Sequence, residues 1–369
     1  MIEPRFGLSA PWSLGLEEEL MVVDARTLAL VARGQTIVEE TRDAHLPGDL
    51  KPELFASIVE AATGVCERVP EAVEHLRALR RAAVEVAGRH GLAVAAAGSH
   101  PFSAAEQQEI APDERYRAFV RYAGVSARRQ GVQGLHVHVG MPDGETCWRA
   151  LEGVLQWLPV VLALSANSPY LDGRETGLAS SRAEILALLP RSGAPPACRS
   201  YAEWEAWVAR LAALRVLDDY TNAWWDVRPA PKFGTLEVRI PDQPTELAQS
   251  ARLAALVHAM CVAAARGPAA PYDPPARDVY QQNRWAALRH GVDATLVHPD
   301  CDRVASVAEL AAELVERVAP FAAELGVDRL VSEAAQLEPE GVRQLRVGRE
   351  RGLRAVCADV VERTAATTL

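Results

Sequence analysis

The chain has 369 residues, of which 49% are hydrophobic and 24% are charged, and its formal net charge is −10. This is the composition of an ordinary globular protein, and no segment concentrates Lys and Arg with interleaved aromatic residues, so a nucleic-acid-binding surface is not expected. An acidic protein that handles an anionic nucleotide usually needs a divalent metal ion between the two, which directs attention to clusters of carboxylates.

Short strands alternate with longer helices in the first half of the chain. Strict apolar alternation predicts the strands, and apolar residues at helical spacing between Pro70 and Gly91 predict a long helix. The expected elements are a strand over Leu14–Val23, helices over Glu53–Thr63 and Pro70–His90, strands over Leu92–Ala97 and Leu135–Gly140, and a helix over Thr146–Leu164.

The second half begins with a polar loop and ends in helices. The expected elements are a loop over Asn167–Pro196, a helix over Tyr201–Leu217, a hairpin with strands Ala223–Arg228 and Thr235–Ile240, and helices over Glu246–Arg266, Val304–Leu325 and Gly341–Thr364. No strand precedes a Gly-rich phosphate loop, so neither a Rossmann nor a P-loop domain is supported. The pattern predicts the α+β class, with long connections between strands and no regular βαβ units.

Features of targeting and redox chemistry favour the cytoplasm. Residues 1–12 lack the apolar region of a signal peptide, and charges interrupt the apolar stretches short of a membrane span. The cysteines have no metal-ligand spacing and are expected to be buried thiols of a reducing compartment. They are Cys66, Cys147, Cys198, Cys261, Cys301 and Cys357.

Three predicted strands carry ionisable residues at positions i and i+2. Side chains alternate between the two faces of a strand, so each pair shares a face and aliphatic residues occupy the other. The pairs are Glu17 with Glu19, His136 with His138, and Glu237 with Arg239. A sheet with one solvated face is one explanation. If the strands adjoin, the shared face is a site for metal ions and anions.

Other charged segments point to the same chemistry. Glu53 and Glu60 are seven residues apart and would lie on one side of the expected helix. Carboxylates suit Mg²⁺, and the two histidines leave zinc or manganese open, although no HExxH or Cys-rich pattern supports zinc. The loop Asp172–Arg182 is either a solvated turn or a binding segment for phosphate or carboxylate.

The order of these motifs resembles the carboxylate–amine ligase family, also called type-2 glutamate–cysteine ligases. Eight short segments match in order over residues 15–291, and the C-terminal helices match in character only. The segments are Gly15–Glu19, Lys51–Phe55 with Glu60 and Thr63, Gly134–Gly140, Ser165–Pro169, Gly173–Gly177 with Ser181 and Arg182, Trp224–Pro229, Thr235–Arg239 with Asp242, and Asn283–Trp285 with Arg289 and Gly291.

The resemblance implies a glutamine-synthetase-like catalytic fold in one domain over residues 1–369. In this fold a curved, mainly antiparallel sheet has a polar concave face and helices on its other side. Carried over by position, the resemblance implies that metal ions bind Glu17, Glu19, Glu60, His136 and Glu237. It implies that Arg182 and Arg239 are catalytic and, with Arg228, bind the cofactor. Glu53 and His138 are further candidate members of the site.

The reaction implied by the resemblance is ATP-dependent ligation. ATP would phosphorylate a carboxylate, that of a glutamate side chain by family resemblance, and an amine, that of cysteine, would then displace phosphate. The implied cofactors are ATP and Mg²⁺, with Mn²⁺ as the alternative metal. The implied partners are small amino-acid substrates and a second copy of the chain in a homodimer, with neither nucleic acid nor membrane.

Two other reactions remain open from the residues. A metal-dependent hydrolase would use His136, His138 and the glutamates to activate water on an amide or a phosphate ester. A phosphagen-type kinase would release a stable phosphorylated product without forming an amide. A binding protein without activity is disfavoured because many buried acids would cost stability without serving a reaction.

Overall fold

A computed structural model describes residues 3–270, 272–336 and 338–366 of the chain, so the first two residues of the segment examined for a signal peptide lie outside it. The strands are β1 (Leu14–Asp24), β2 (Gly48–Pro52), β3 (Ile58–Thr63), β4 (Leu92–Ala95), β5 (Leu135–Gly140), β6 (Tyr170–Leu171), β7 (Arg174–Glu175), β8 (Ser192–Gly193), β9 (Trp224–Trp225), β10 (Val227–Ala230), β11 (Thr235–Val238), β12 (Thr295–Val297) and β13 (Val304–Ser306).

Helices occupy most of the rest of the described chain. They are α1 (Gly34–Thr41), α2 (Val69–Arg89), α3 (Glu114–Ala123), α4 (Val125–Arg128), α5 (Gly144–Leu155), α6 (Leu158–Ser165), α7 (Ser181–Leu186), α8 (Tyr201–Ala213), α9 (Leu247–Arg266), α10 (Ala276–His290), α11 (Val307–Glu324), α12 (Asp328–Ala334), α13 (Glu340–Arg351) and α14 (Leu353–Ala366).

Seven strands form one sheet in the order β10–β11–β5–β1–β3–β2, with β4 beside the second half of β1. Every pairing in this sheet is antiparallel. The long strand β1 is central, because its first half pairs with β5, its second half with β4, and its other edge with β3. This mainly antiparallel sheet, together with its packed helices, confirms the expected α+β class.

The apolar face of the sheet packs on α2, α5 and α9. Leu14, Leu16, Leu20 and Val22 of β1 are all buried on this face, as their alternation predicts. Each such side chain contributes about 1.5–3 kcal/mol of hydrophobic stabilisation. Helix α9 is long and apolar enough to cross a membrane, contrary to the expectation of charge-interrupted stretches, but 78% of its apolar window is buried inside the protein.

A buried ion pair joins α2 to β1 on this same face. Glu18 and Arg80 are fully buried, and Arg80 donates through Nε to Glu18 Oε2 at 2.6 Å and through Nη2 to Oε1 at 2.8 Å. Nη1 and Nη2 also donate to the carbonyls of Thr245 and Pro244, respectively. Ser250 adds a hydrogen bond to Glu18 at 2.6 Å. Both charged groups of the pair are therefore hydrogen-bonded beyond each other, and the pair also holds the segment that follows β11.

The helix predicted over Glu53–Thr63 is wrong. Residues Ile58–Thr63 form β3, which pairs with β1 on one edge and β2 on the other, and Glu53 lies in the connection that precedes it. Ala and Glu in this segment favour a helix, but hydrogen bonding to strands on both edges outweighs that weak local preference. The two acids consequently share no helical face.

Three predicted helices are interrupted. The helix expected over Thr146–Leu164 is two helices, α5 and α6, bent by 63°. The first three residues of the helix expected over Val304–Leu325 form β13, which pairs with β12. The helix expected over Gly341–Thr364 is broken at Gly352, whose φ of 83° ends α13.

The expectation of buried thiols holds for five cysteines and is wrong for Cys301, which is exposed.

Candidate active site

Strand register brings the ionisable pairs onto one face of the sheet. The face runs across six strands, and its members lie directly opposite one another in pairs. These pairs are Arg228 with Glu237, Glu237 with His138, His136 with Glu17, Glu19 with Glu60, and Glu60 with Lys51. We call this surface the polar face. The three strands that carry the i, i+2 pairs, β1, β5 and β11, are neighbours in the sheet. The condition set by the sequence for one shared site, that these strands adjoin, is therefore met.

Three side chains of the polar face converge on one point. One donor atom each from Glu17, His138 and Glu237 lies within 4.8 Å of the other two. His138 Nδ1 is 2.9 Å from Thr235 Oγ1, a hydroxyl that can accept from Nδ1–H in the tautomer whose Nε2 lone pair is available to a metal ion. His138 Nε2 is buried and makes no hydrogen bond, although Glu17 Oε1 lies 3.4 Å away.

This geometry fits a divalent metal ion. Two carboxylates and an imidazole with a free lone pair are ligands for Mg²⁺, Mn²⁺ or Zn²⁺, and the orphaned Nε2 is an atom that a metal would satisfy. His136, the histidine expected as a ligand, instead directs Nδ1 to Glu17 Oε2 at 3.1 Å and lies outside the converging group. Sequence spacing alone does not separate these two histidines.

Glu237 is held by two arginines. Arg228 donates to it through Nε at 2.6 Å and Nη2 at 3.2 Å, and Arg239 Nη1 makes a further ion pair. Burial opposes ionisation of Glu237, but the charges of Arg228, Arg239 and His138 outweigh burial and lower its pKa far below the usual value. Glu237 is therefore a carboxylate at any physiological pH.

The neighbouring groups are also strongly perturbed. Burial raises the pKa of Glu17, but His138 and His136 outweigh it and hold that pKa well below its usual range. Burial lowers the pKa of His138, whereas Glu17 and Glu237 raise it above its ordinary value. The pKa of His136 is lowered by burial and by the charge of Arg239.

A second set of carboxylates flanks the converging group. Burial and the charge of Glu19 raise the pKa of Glu53 to about 7, and burial and the charge of Glu17 raise the pKa of Glu60 well above its ordinary value. The compensating contacts are few: Tyr116 Oη donates to Glu53 Oε2 at 3.1 Å, and Lys51 Nζ is 3.6 Å from Glu60. Crowded acids with so little compensation fit cations held between them.

Arg182 lies beneath the polar face and is almost completely buried. Its Nη1 donates to the carbonyl of Ile240 at 3.0 Å and its Nη2 to the carbonyl of Arg239 at 2.9 Å. Gly134 makes room for it, since a Cβ at that position would lie 2.1 Å from Nη2. In this arrangement Nη1 and Nη2 of Arg182 both bind protein carbonyls. The contact with phosphate or carboxylate expected of Arg182 therefore stays a prediction.

Asp242 anchors the polar loop expected over residues 167–196 to the sheet. Its carboxylate accepts hydrogen bonds from Asn167 N at 2.8 Å, Ser168 Oγ at 2.6 Å and Ser180 Oγ at 2.8 Å. Arg182 Nη1 is 4.0 Å from the same carboxylate. The loop therefore starts from a rigid, buried base beside the polar face.

Three contributors were not assigned a role from the sequence. Thr235 lies two residues before Glu237 on β11, so the same alternation that selected Glu237 could have identified it. Tyr116 comes from α3, more than 50 residues from the acid it contacts, and no local pattern in the sequence predicts that contact. Gly134, the residue before β5, is only a weak indication in the sequence that another side chain, here that of Arg182, packs against the backbone.

Comparison of the sequence with known families and relatives gives consistent matches. The profile described as glutamate–cysteine ligase family 2 matches residues 13–363. A protein of Rubrobacter xylanophilus, provisionally named glutamate–cysteine ligase 2-3, is 40% identical over 369 residues, covering 99% of this chain and 100% of the relative. A provisionally named glutamate–cysteine ligase 2 of Herpetosiphon aurantiacus is 37% identical over 360 residues, covering 96% of this chain and 93% of the relative.

Solved structures match the fold as well. The crystal structure of glutamate–cysteine ligase from Francisella tularensis in complex with AMP has a TM-score of 0.74 at 14% identity and covers 100% of this chain and 90% of that one. The bifunctional glutathione synthetase from Pasteurella multocida has a TM-score of 0.73 at 15% identity and covers 97% of this chain and 52% of that one. These likenesses confirm the expected catalytic fold.

Proposed function

Because the chain belongs to glutamate–cysteine ligase family 2, and is thus a carboxylate–amine ligase, we propose that it joins the side-chain carboxylate of glutamate to the α-amine of cysteine with ATP and Mg²⁺. The observation that carries this proposal is the convergence of Glu17, His138 and Glu237 on the polar face. Nucleotide use is supported by the AMP complex of the Francisella tularensis ligase, which has the same fold.

In the proposed reaction the γ-phosphoryl group of ATP passes to the glutamate carboxylate and forms an acyl phosphate. The cysteine amine then attacks the acyl carbon, phosphate leaves, and the nitrogen releases a proton to give the amide. No side-chain nucleophile is required, which agrees with the absence of a GxSxG or Cys/His motif from the sequence. The ligation needs binding, alignment and charge stabilisation from the protein.

We assign the primary metal-binding role to Glu17, His138 and Glu237, with Glu19, Glu53 and Glu60 as flanking carboxylates. Mg²⁺ bound there would screen the charges of ATP and the reacting carboxylate. Thr235 orients His138 so that Nε2 faces the two carboxylates. His136 orients Glu17 from the other side through its hydrogen bond at 3.1 Å.

Arginines are assigned to the transferring phosphoryl group. The side chain of Arg239 is 17% exposed and contacts Glu237. Its guanidinium can therefore bind an anion beside the metal ligands. Arg228 is less exposed and braces Glu237 from the adjacent strand. Arg182 donates a hydrogen bond to the backbone carbonyl of Arg239, and we assign Arg182 a positioning role.

Other expectations rest on this proposal. The single catalytic domain over residues 1–369, the homodimer and the cytoplasmic location remain predictions. Mn²⁺ remains the alternative metal, because the imidazole in the converging group suits it.

The proposal is tested by phosphate release from ATP and Mg²⁺ across a panel of amino-acid pairs. We expect release that needs both a carboxylate and an amine, greatest with glutamate and cysteine. Glu237→Gln removes a charged metal ligand and is expected to lower the rate by at least about 100-fold. Glu350→Gln, at an exposed position of α13, is the matched control and is expected to leave the rate unchanged.

Other outcomes identify a different reaction. Intact ATP with every pair, together with cleavage of amides or phosphate esters, would replace the ligase with a metal-dependent hydrolase. A stable phosphorylated product without an amide would indicate a kinase. A thermal melting profile of Glu237→Gln close to that of the wild type ensures that lost activity reflects the site and not the fold.

A further inference from the structure

A second group of metal-ligand side chains lies where β1 and α2 begin. Donor atoms of Cys66, Glu71 and His75 all lie within 4.8 Å of one another. Cys66 Sγ is 3.3 Å from His75 Nδ1. None of the three belongs to the polar face, and the proposed ligation uses none of them.

The backbone holds these donors in position from two elements. Cys66 exchanges two backbone hydrogen bonds of 2.8 Å with Leu14, the first residue of β1. Glu71 and His75 are four residues apart in α2, so their side chains lie on the same side of that helix. The thiol therefore comes from the edge of the sheet, and the other two donors come from the helix packed against it.

Burial differs across the group in a way that suits a metal site with access to solvent. Cys66 is buried, His75 is partly buried and Glu71 is exposed. One carboxylate oxygen of Glu71 accepts a hydrogen bond of 2.8 Å from the backbone N–H of Glu67, which leaves the other oxygen available. The exposed side leaves room for water as a fourth ligand.

The donor chemistry differs from that of the polar face. A thiolate, an imidazole and a carboxylate form a ligand set for Zn²⁺, whereas Mg²⁺ prefers oxygen alone. Tetrahedral zinc with its usual bond lengths separates such donors by about 3.4–3.6 Å. The observed spacing between Cys66 Sγ and His75 Nδ1 is close to this separation.

We propose that Cys66, Glu71 and His75 bind a zinc ion that ties the start of α2 to the first strand of the catalytic sheet. Binding forms a bond between Zn²⁺ and Sγ and releases the thiol proton to solvent. The spacing Cys–x4–Glu–x3–His matches no common zinc motif, which is why the cysteine count indicated no site. The proposal is independent of the reaction on the polar face.

The alternative is a thiol–imidazole hydrogen bond without metal. Burial, reinforced by the charge of Glu71, raises the pKa of the Cys66 thiol to about 11, so the free thiol keeps its proton at neutral pH. Zinc binding displaces that proton and replaces the thiol–imidazole hydrogen bond with a metal–sulfur bond. A hydrogen bond alone does not respond to added metal.

Co²⁺ is the probe for the experiment, because a bond from thiolate sulfur to Co²⁺ gives a near-ultraviolet charge-transfer band that oxygen and nitrogen ligands do not give. The full-length protein is titrated with Co²⁺ in excess Mg²⁺, which competes for the polar face. We expect the band to saturate at one equivalent and to disappear on addition of Zn²⁺. We also expect Zn²⁺ to raise the Tm.

Three variants define the site. Cys66→Ser should abolish the charge-transfer band, and His75→Gln should weaken Co²⁺ binding at least about tenfold. Cys301→Ser, which removes the exposed thiol, should leave the band unchanged. The increase in Tm with Zn²⁺ should be smaller in Cys66→Ser and His75→Gln than in the wild type.

The proposal is overturned by the absence of a thiolate band at one equivalent, by a band that survives Cys66→Ser, or by a band lost with Cys301→Ser. If Cys66→Ser does not fold, Glu71→Gln and His75→Gln decide the matter, since both positions are at least partly exposed. Wild-type Co²⁺ affinity in both of them contradicts the site, and weakened affinity in both supports it.

Discussion

At the residue scale, His138 and His136 show how contacts give different roles to two side chains with the same spacing. Both are buried on the polar face, and both lie near Glu17. Only His138 has its Nδ1 hydrogen-bonded to a hydroxyl while its Nε2 lies free among carboxylates. The Thr235 hydroxyl thus orients the imidazole so that Nε2 faces the carboxylates of Glu17 and Glu237.

Thr235→Val removes this hydroxyl with little change in shape. We expect Mn²⁺ or Mg²⁺ affinity to fall by about 10- to 100-fold, because the imidazole loses the partner that fixes its orientation. The affinity is measured by metal titration of the phosphate-release rate. Thr235→Ser keeps the hydroxyl and is expected to restore most of the affinity. Equal affinities in wild type and Thr235→Val would contradict the role of Thr235.

At the scale of elements, the site depends on how β1 is held against the helical layer. Its outward face carries Glu17 and Glu19, and between them Glu18 points inward to Arg80. Arg80 also binds the carbonyls of Thr245 and Pro244, next to Gln243, which accepts a hydrogen bond from Glu19 N at 3.0 Å. The buried pair thereby fixes the strand that carries two site carboxylates.

Arg80→Met leaves Glu18 buried without its cation. We expect the free energy of unfolding to fall by about 3–5 kcal/mol, as observed when one partner of a buried ion pair is removed. Chemical denaturation measures this change. The control Arg210→Met, at an exposed position of α8, should change it by less than about 0.5 kcal/mol. The double variant with Glu18→Met should lose less than Arg80→Met alone, and a larger loss would contradict this account.

At the scale of the whole molecule, the chain has a net charge of −10, and several of its carboxylates are crowded on the polar face. Burial and neighbouring acids raise the pKa of Glu53 to about 7 and that of Glu60 well above its ordinary value. In the metal-free protein these carboxyls hold protons that the unfolded chain releases near pH 4.5. Their contribution to stability is therefore complete below pH 4.5; that of Glu53 is lost as pH rises through about 7, and that of Glu60 is lost in the same direction, as pH rises through its raised pKa.

Stability should consequently depend on pH and Mg²⁺ together. Between pH 6.5 and 8.5 we expect the metal-free protein to lose stability, and Mg²⁺ to raise the Tm more at pH 8.5 than at pH 6.5. His136, whose pKa is lowered, acts in the opposite direction near pH 6.5, where the unfolded chain still protonates this histidine, and its opposition ends as pH rises above that value. Differential scanning calorimetry with and without Mg²⁺ measures the effect.

Two variants separate the polar face from other titrating groups. Glu53→Gln should reduce the difference that Mg²⁺ makes between the two pH values. Burial also raises the pKa of Glu340 to about 7, away from the polar face, so Glu340→Gln should change the pH slope but leave the Mg²⁺ effect intact. A Mg²⁺ effect independent of pH in the wild type would contradict the assignment of these carboxylates.

Much of the candidate site could be predicted from the sequence, because strand periodicity is a local property. The i, i+2 pairs on β1, β5 and β11 share a face as expected, and the strand over Leu135–Gly140 has the predicted bounds. Strand β3 could not be predicted, because Ala and Glu favour a helix locally and only pairing with β1 and β2 makes this segment a strand.

The sequence by itself determined which residues have chemistry suited to metal and anion binding, and which side of each strand they occupy. Tertiary structure decided which of them meet: Glu60 lies opposite Glu19, His138 and not His136 joins Glu17 and Glu237, and Arg182 turns to protein carbonyls. The physical reason is that alternation is set by backbone geometry within a few residues, whereas register, burial and the partner of each polar atom are set by segments far apart in the chain.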